Sequence, residues 1–149
     1  MRIMPDVIRD QNLLVASPED NARHVAKAMV KRRISSILVL DDTGKLVGII
    51  TERDFTRSFA AGTADADKTT AGDIMTREVE TLSPDDSAFS ALELMELRNF
   101  RHLPVVDGDG RPLGIVSIRD LYAVVNRESR SLLAKTQAYM FDDRYNPDM

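Results

Sequence analysis

Two short segments place a hydroxyl residue three positions before an aspartate, where an apolar strand pattern meets a helix pattern. They are residues 48–54, Gly-Ile-Ile-Thr-Glu-Arg-Asp, and residues 114–120, Gly-Ile-Val-Ser-Ile-Arg-Asp. A helix N-terminus offers free backbone N–H groups and partial positive charge, which suit a phosphate, and a hydroxyl adds a donor. The same spacing is also an ordinary capping box. Two interpretations therefore stay open, an anion site and a helix cap.

Both segments belong to a longer internal repeat. When residues 83–120 are placed over residues 17–54, 13 positions are identical without a gap. An Ile-Met motif also recurs, at 3–4 and at 74–75, but with a larger separation than the rest of the repeat. The first copy therefore carries five extra residues, around 6–12. Such self-similarity indicates a duplicated structural unit.

The repeat predicts two domains and their connections. We expect the first unit at 1–61, a linker of loop composition at 62–70, and the second unit at 71–128. Residues 129–149 lie outside the repeat and are predicted to continue as a helix and a tail. Three of the eight aromatic residues fall within 139–145, which favours docking of the tail onto the module or onto a second subunit.

Each unit predicts a short strand, a helix, a two-stranded hairpin and a second helix. Ser17 and Ser83 are followed by proline and precede helix-spaced apolar residues, so both are predicted N-caps. Apolar runs on either side of an Asp- and Gly-containing turn then predict the hairpin. One such unit by itself would bury little apolar surface, so the two units are expected to pack against each other.

Composition narrows the classes of function. The 149 residues carry a net charge of −4, so nucleic-acid binding by bulk charge is not expected. Cysteine is absent and only His24 and His102 are present, so no zinc site of Cys or paired His is predicted. The longest apolar runs are too short to span a bilayer, and residues 1–6 do not read as a secretory signal. We expect a cytoplasmic protein without a membrane partner.

The order and spacing of these motifs resemble the CBS domain, and the two copies resemble a stand-alone CBS pair, or Bateman module. The resemblance covers residues 3 to about 128. It rests on the Ile-Met motifs, the Ser-Pro-x-Asp segments, the run Arg-His-Leu-Pro-Val-Val-Asp at 101–107 and the two Gly-Ile segments. It implies an α+β fold of two tandem repeats, each strand-helix-strand-strand-helix, packed with pseudo-twofold symmetry around two clefts.

Families of this kind bind AMP, ADP or ATP in these clefts, and in some members S-adenosylmethionine or NAD-type molecules. The resemblance implies such a regulatory ligand and no obligatory cofactor. The aspartates would accept hydrogen bonds from ribose, the hydroxyl residues would contact phosphate, and the glycines would let a ring approach the backbone. The expected ligand-binding residues are Gly48, Ile49, Thr51, Asp54, Gly114, Ile115, Ser117, Asp120, Arg101, His102, Ile37, Leu103, Pro104, Arg53 and Arg119.

The two copies differ where phosphates would lie, which predicts unequal sites. The second copy has Arg101-His102 before its strand, where the first has Ser35-Ser36. A guanidinium can bind phosphate through two donors, and a histidine changes charge near neutral pH. The alternatives are that Arg101 is a solvated strand-end residue and that His102 is simply packed. Arg53 and Arg119 could likewise be surface residues.

Three functions remain in competition at this point. The first is a regulatory module that binds an adenosyl nucleotide and signals to a separate partner protein, as a homodimer by resemblance. The second is a dimerisation adaptor without tight ligand binding. The third is a phosphohydrolase using Asp54 or Asp120 with Mg²⁺, although no Walker A, Gly-x-Ser-x-Gly or His-Glu-x-x-His motif is present. We expect no catalytic residues, and therefore no enzyme.

Overall fold

The computed structural model describes residues 1–62, 65 and 67–142, with side chains as far as residue 138. A short irregular turn (Ile3–Val7) comes first. The first repeat contains β1 (Val15–Ala16), α1 (Ala22–Arg32), β2 (Ser36–Leu40), β3 (Leu46–Thr51) and α2 (Glu52–Ala60). After α3 (Ala71–Ile74), the second repeat contains α4 (Ala88–Arg98), β4 (His102–Val106), β5 (Pro112–Ser117) and α5 (Ile118–Asp142). The mixed α+β fold class is confirmed.

Each repeat is built on an antiparallel hairpin, β2–β3 in the first and β4–β5 in the second. β1 runs parallel to β2, and in the second repeat a single bridge between Leu82 and Val105 takes the place of β1. The predicted hairpin turns are also present. Gly44 and Gly110 adopt φ of 84° and 79°, a left-handed conformation that glycine enters without a side-chain clash.

The predicted N-caps of the first helix in each repeat are wrong. α1 begins after Asn21, whose side chain accepts from the backbone N of Arg23 at 2.9 Å, and α4 begins after Ser87. Ser17 and Ser83 instead begin a tight turn just before the helix, in which each serine backbone N–H donates to the carboxylate of the aspartate three residues later. Serine, proline and aspartate suit such a turn as well as they suit a helix start. The sequence pattern therefore does not distinguish a turn from an N-cap.

The two repeats exchange the segments that precede them. Ile3 and Ile8 are buried in the hydrophobic core of the second repeat, whereas Ala71 and Met75 are buried in that of the first. Backbone hydrogen bonds fix the exchange: the Ile3 N–H donates to the Asp86 carbonyl at 2.9 Å, and other bonds of this kind hold α3 against residues 18–20. Neither core is complete without chain from the other half of the sequence.

The last helix, α5, continues well beyond the repeat. Its distal part is solvent-exposed, with Leu132 at 68 % and Leu133 at 60 % of their accessible surface. The predicted docking of the tail concerns residues 139–145, whose side chains lie outside the part of the chain that the structure describes. Over the described residues, no helix is long and apolar enough to cross a membrane.

Candidate functional site

Both hydroxyl–aspartate pairs form capping boxes at helix N-termini. Asp54 Oδ2 accepts from the Thr51 backbone N at 2.8 Å, at the start of α2. In the second repeat the Ser117 backbone N donates to Asp120 Oδ2 at 2.9 Å, and the Asp120 N–H donates to Ser117 Oγ at 3.1 Å. The capping interpretation is therefore correct for both segments. It does not exclude a ligand, because a cap occupies only part of the donors at a helix start.

A cavity of about 490 Å³ lies between the repeats at the start of α5. Residues 11–14 and 32–36 of the first repeat form one side of it. The second repeat contributes the other side through His102, Ile115, Ser117 and Asp120. Apolar, hydroxyl and charged groups thus converge on one space, which falls within the range of small-molecule sites.

Both positively and negatively charged side chains line this cavity. Arg32 and Arg33 line it, and the Arg32 guanidinium also donates to the Asn12 carbonyl at 3.0 Å. Arg33 adopts φ of 53° where it ends α1, so the chain turns sharply at the cavity wall. In the described part of the chain, the hydrogen bond to the Asp120 carboxylate comes from Ser117 through Oδ2, which leaves Oδ1 for a ligand.

His102 lies at the junction of the two repeats. Its Nε2 is hydrogen-bonded to Ser35 Oγ at 3.1 Å. Burial lowers the pKa of His102 below its ordinary value, and the neighbouring Arg101 charge acts in the same direction. The Asp120 and Glu52 carboxylates act to raise that pKa. The net direction is downward, so the imidazole is neutral at pH 7.

The equivalent position in the first repeat is closed by the chain itself. Asp54 is 7 % exposed, and Thr76 Oγ1 donates to its Oδ1 at 3.1 Å. The Thr76 backbone pairs with Ile49, whose N–H donates at 3.0 Å and whose carbonyl accepts at 2.9 Å. The Met75 side chain covers Gly48, where an added Cβ would lie 2.5 Å from Sδ. The two clefts therefore differ in geometry, with Asp120 facing a cavity and Asp54 enclosed.

The structure brings together only part of the expected set of site residues. His102, Ile115, Ser117 and Asp120 line the cavity, whereas Gly114 does not, and its backbone is covered by the side chains of Ile8 and Gln11. The first-repeat set, Gly48, Ile49, Thr51 and Asp54, is near the closed cleft. Ile37, Leu103 and Pro104 are at most 2 % exposed and pack in the interior, so their side chains do not reach the cavity. Arg53, Arg101 and Arg119 are exposed and do not line it.

Sequence reasoning missed the half of the cavity that comes from the first repeat. The predicted set of ligand-binding residues contains none of residues 11–14 and 32–36, and Ser35 and Ser36 enter only as the first-copy counterparts of Arg101 and His102. One signal was available: the five extra residues of the first copy fall around 6–12 and end beside Gln11. The repeat alone did not indicate that this segment faces the second repeat's strand.

A family model for the CBS domain matches residues 6–61 and 71–127. The chain therefore belongs to the CBS domain family and contains a tandem pair of these domains. Among curated proteins, it is 37 % identical over 114 residues to an uncharacterized 17.7 kDa protein of Acidianus ambivalens, covering 76 % of this chain and 68 % of that protein. The chain spans 58 to 68 % of the length of the first curated relatives that it matches.

Solved structures support the same fold. The CBS domain pair of protein MJ0100, in complex with 5′-methylthioadenosine and S-adenosyl-L-methionine, is 28 % identical, with a TM-score of 0.72 over 84 % of this chain and 99 % of that chain. CBSX2 in complex with AMP is 25 % identical, with a TM-score of 0.68 over 80 % of this chain and 91 % of that chain. Related CBS pairs therefore bind adenosyl compounds.

Proposed function

We propose that this protein is a regulatory module that binds an adenosyl nucleotide in the cavity at Asp120. The observation that carries the proposal is the cavity itself, which joins an aspartate at a helix N-terminus to two arginines of the other repeat. The complexes of related CBS pairs with AMP and with S-adenosyl-L-methionine support the class of ligand. The protein acts by binding, and we propose no catalytic role for these residues.

The polar groups of the cavity divide naturally among the parts of a nucleotide. The Ser117 hydroxyl, Arg32 and Arg33 suit phosphate oxygens, because they supply a donor or positive charge. The available oxygen of Asp120 suits a ribose hydroxyl, which needs an acceptor. Ile115 offers an apolar side chain and a backbone edge for the base. We propose one working site, because Asp54 is already paired with Thr76.

The signal is proposed to pass to a separate protein in the cytoplasm. A ligand that contacts both repeats at once shifts the balance between their arrangements by its difference in affinity for them. We propose a homodimer as the signalling unit. The exposed distal part of α5, with Leu132 and Leu133 on its surface, supports a helix-mediated contact with a second subunit or with the effector.

The test is isothermal titration of AMP, ATP, S-adenosylmethionine and NADH into the wild type, Asp120→Asn and the matched control Asp54→Asn. We expect saturable binding of at least one ligand, weakened roughly 10- to 100-fold by Asp120→Asn through loss of a charged hydrogen bond. Asp54→Asn should leave the affinity within threefold. If no compound binds to folded wild type, the adaptor function is favoured instead. Phosphate release from ATP that both substitutions abolish would point to the enzyme.

A further inference from the structure

The side chain of Gln11 forms part of the wall of the cavity at Asp120. The Ile115 backbone N donates to Gln11 Oε1 at 2.9 Å, and Gln11 Nε2 donates to the Ile115 carbonyl at 3.1 Å. In an antiparallel pair, both backbone groups of one residue point to the same side of the strand. Those of Ile115 therefore point away from its neighbour Pro104 in β4. Gln11 caps a free edge of β5 that faces the cavity.

The first repeat makes the same two hydrogen bonds with main chain. Ile49 occupies the position of Ile115 in the repeat and pairs with the N–H and carbonyl of Thr76. An added Cβ at Gly48 would lie 3.0 Å from the Thr76 oxygen, and one at Gly114 would lie 3.0 Å from Gln11 Oε1. The two oxygens thus take equivalent places. A carboxamide has the donor and acceptor of a peptide group. In the second repeat the Gln11 side chain therefore takes the place that the Thr76 backbone has in the first.

The two occupants differ in how readily they can leave. Thr76 follows the buried Met75 and is also held by its hydroxyl bond to Asp54, so moving it disturbs a core. Gln11 is exposed and lies in the extra residues of the first copy, and its two bonds come from one flexible side chain. A change of rotamer releases Gln11 and exposes the N–H and carbonyl of Ile115 to the cavity.

A heterocycle with an amino group beside a ring nitrogen presents a donor and an acceptor next to each other, as a carboxamide does. We propose that the Gln11 side chain competes with the ligand for the backbone N–H and carbonyl of Ile115. An aminopurine would displace Gln11 and form the same two hydrogen bonds with Ile115. This inference rests on the proposed function and deepens it by assigning the groups that read the base. It also sets affinity, because ligand binds only the fraction of molecules in which Gln11 has moved away.

The experiment is titration of AMP into the wild type, Gln11→Ala, and the matched control Gln137→Ala on the exposed part of α5. Removing the competitor should tighten AMP binding roughly 5- to 10-fold, the scale of a lost internal hydrogen bond. Gln137→Ala should match the wild type. If Gln11→Ala binds AMP with equal or lower affinity while Asp120→Asn still weakens binding roughly 10- to 100-fold, the competitor inference is overturned and the proposed function stands. The titration is repeated with ATP, S-adenosylmethionine and NADH, which carry the same aminopurine. If neither wild type nor Gln11→Ala binds any of the four compounds, both the inference and the proposed function are overturned.

A second measurement needs no substitution at the cavity. In ¹⁵N-labelled wild type, the side-chain amide protons of Gln11 should exchange more slowly with water than those of Gln137 before ligand is added. At saturating AMP, exchange at Gln11 should rise to the rate of Gln137. Continued protection of Gln11 in the complex would overturn the inference, even if Gln11→Ala proves too unstable to titrate.

Discussion

Replacing Asp54 by alanine should destabilise this protein much more than the same change at Asp120. Asp54 is almost fully buried and accepts three hydrogen bonds, two from Thr51 and one from Thr76. An N-cap is worth about 0.5–2 kcal/mol, and a hydrogen bond to a charged group about 1.5–3 kcal/mol, with partial overlap between them. We therefore expect Asp54→Ala to lower the free energy of unfolding by about 3 kcal/mol.

Asp120 provides the matched control. It is half-buried, and its contacts in the described part of the chain are those of the capping box with Ser117. Asp120→Ala should cost about 1 kcal/mol, the typical value of a cap. The two variants remove the same group from equivalent positions of the repeat. Their difference therefore reports the bond from Thr76, the burial of Asp54 and its ion pair with the exposed Arg57 at 3.9 Å.

The assay is urea unfolding followed by circular dichroism, with thermal melts as a second readout. The repeats share exchanged segments, so we expect a single cooperative transition in which the two free energies can be compared. For a chain of this size, 3 kcal/mol corresponds to a fall in Tm of roughly 6–12 °C. Equal losses for the two variants, or a loss below 1 kcal/mol at Asp54, would refute the conclusion that Asp54 is structural.

Two further predictions test the closed cleft and the junction of the repeats. Gly48→Ala should cost about 1–3 kcal/mol in urea unfolding, because the methyl group would overlap the buried Met75 side chain and press on the Thr76 backbone carbonyl. Gly114→Ala should cost less, because its closest contacts are side-chain atoms only, and one of them belongs to the exposed Gln11. Equal losses would contradict this difference. The lowered pKa of His102 means that the unfolded chain binds its proton more readily, so stability should fall as pH drops below about 6.5. Thermal melts from pH 7.5 to 5.5 should show a smaller fall in His102→Gln than in the wild type, and identical slopes would refute a neutral, buried imidazole.

Local sequence predicted the elements that carry the site with good accuracy. The strand-to-helix steps at Thr51 and Ser117 lie where the pattern placed them, because an apolar run, a hydroxyl and an acid three residues later are local signals. The same local signals failed at Ser17 and Ser83. A turn and a helix start need nearly the same residues there, and only packing against the neighbouring segment separates them.

The sequence was sufficient to predict the duplication, the order of elements within each repeat and the aspartates at two helix starts. These follow from periodicity and capping, which depend on residues close together in the chain. Three-dimensional packing was needed to show that the segments preceding the two repeats are exchanged, that Thr76 closes one cleft, and that Gln11 lies at the edge of the other. Those outcomes depend on contacts between residues 22 to 104 positions apart, and a repeat that reads alike in both copies does not specify which copy each segment packs against.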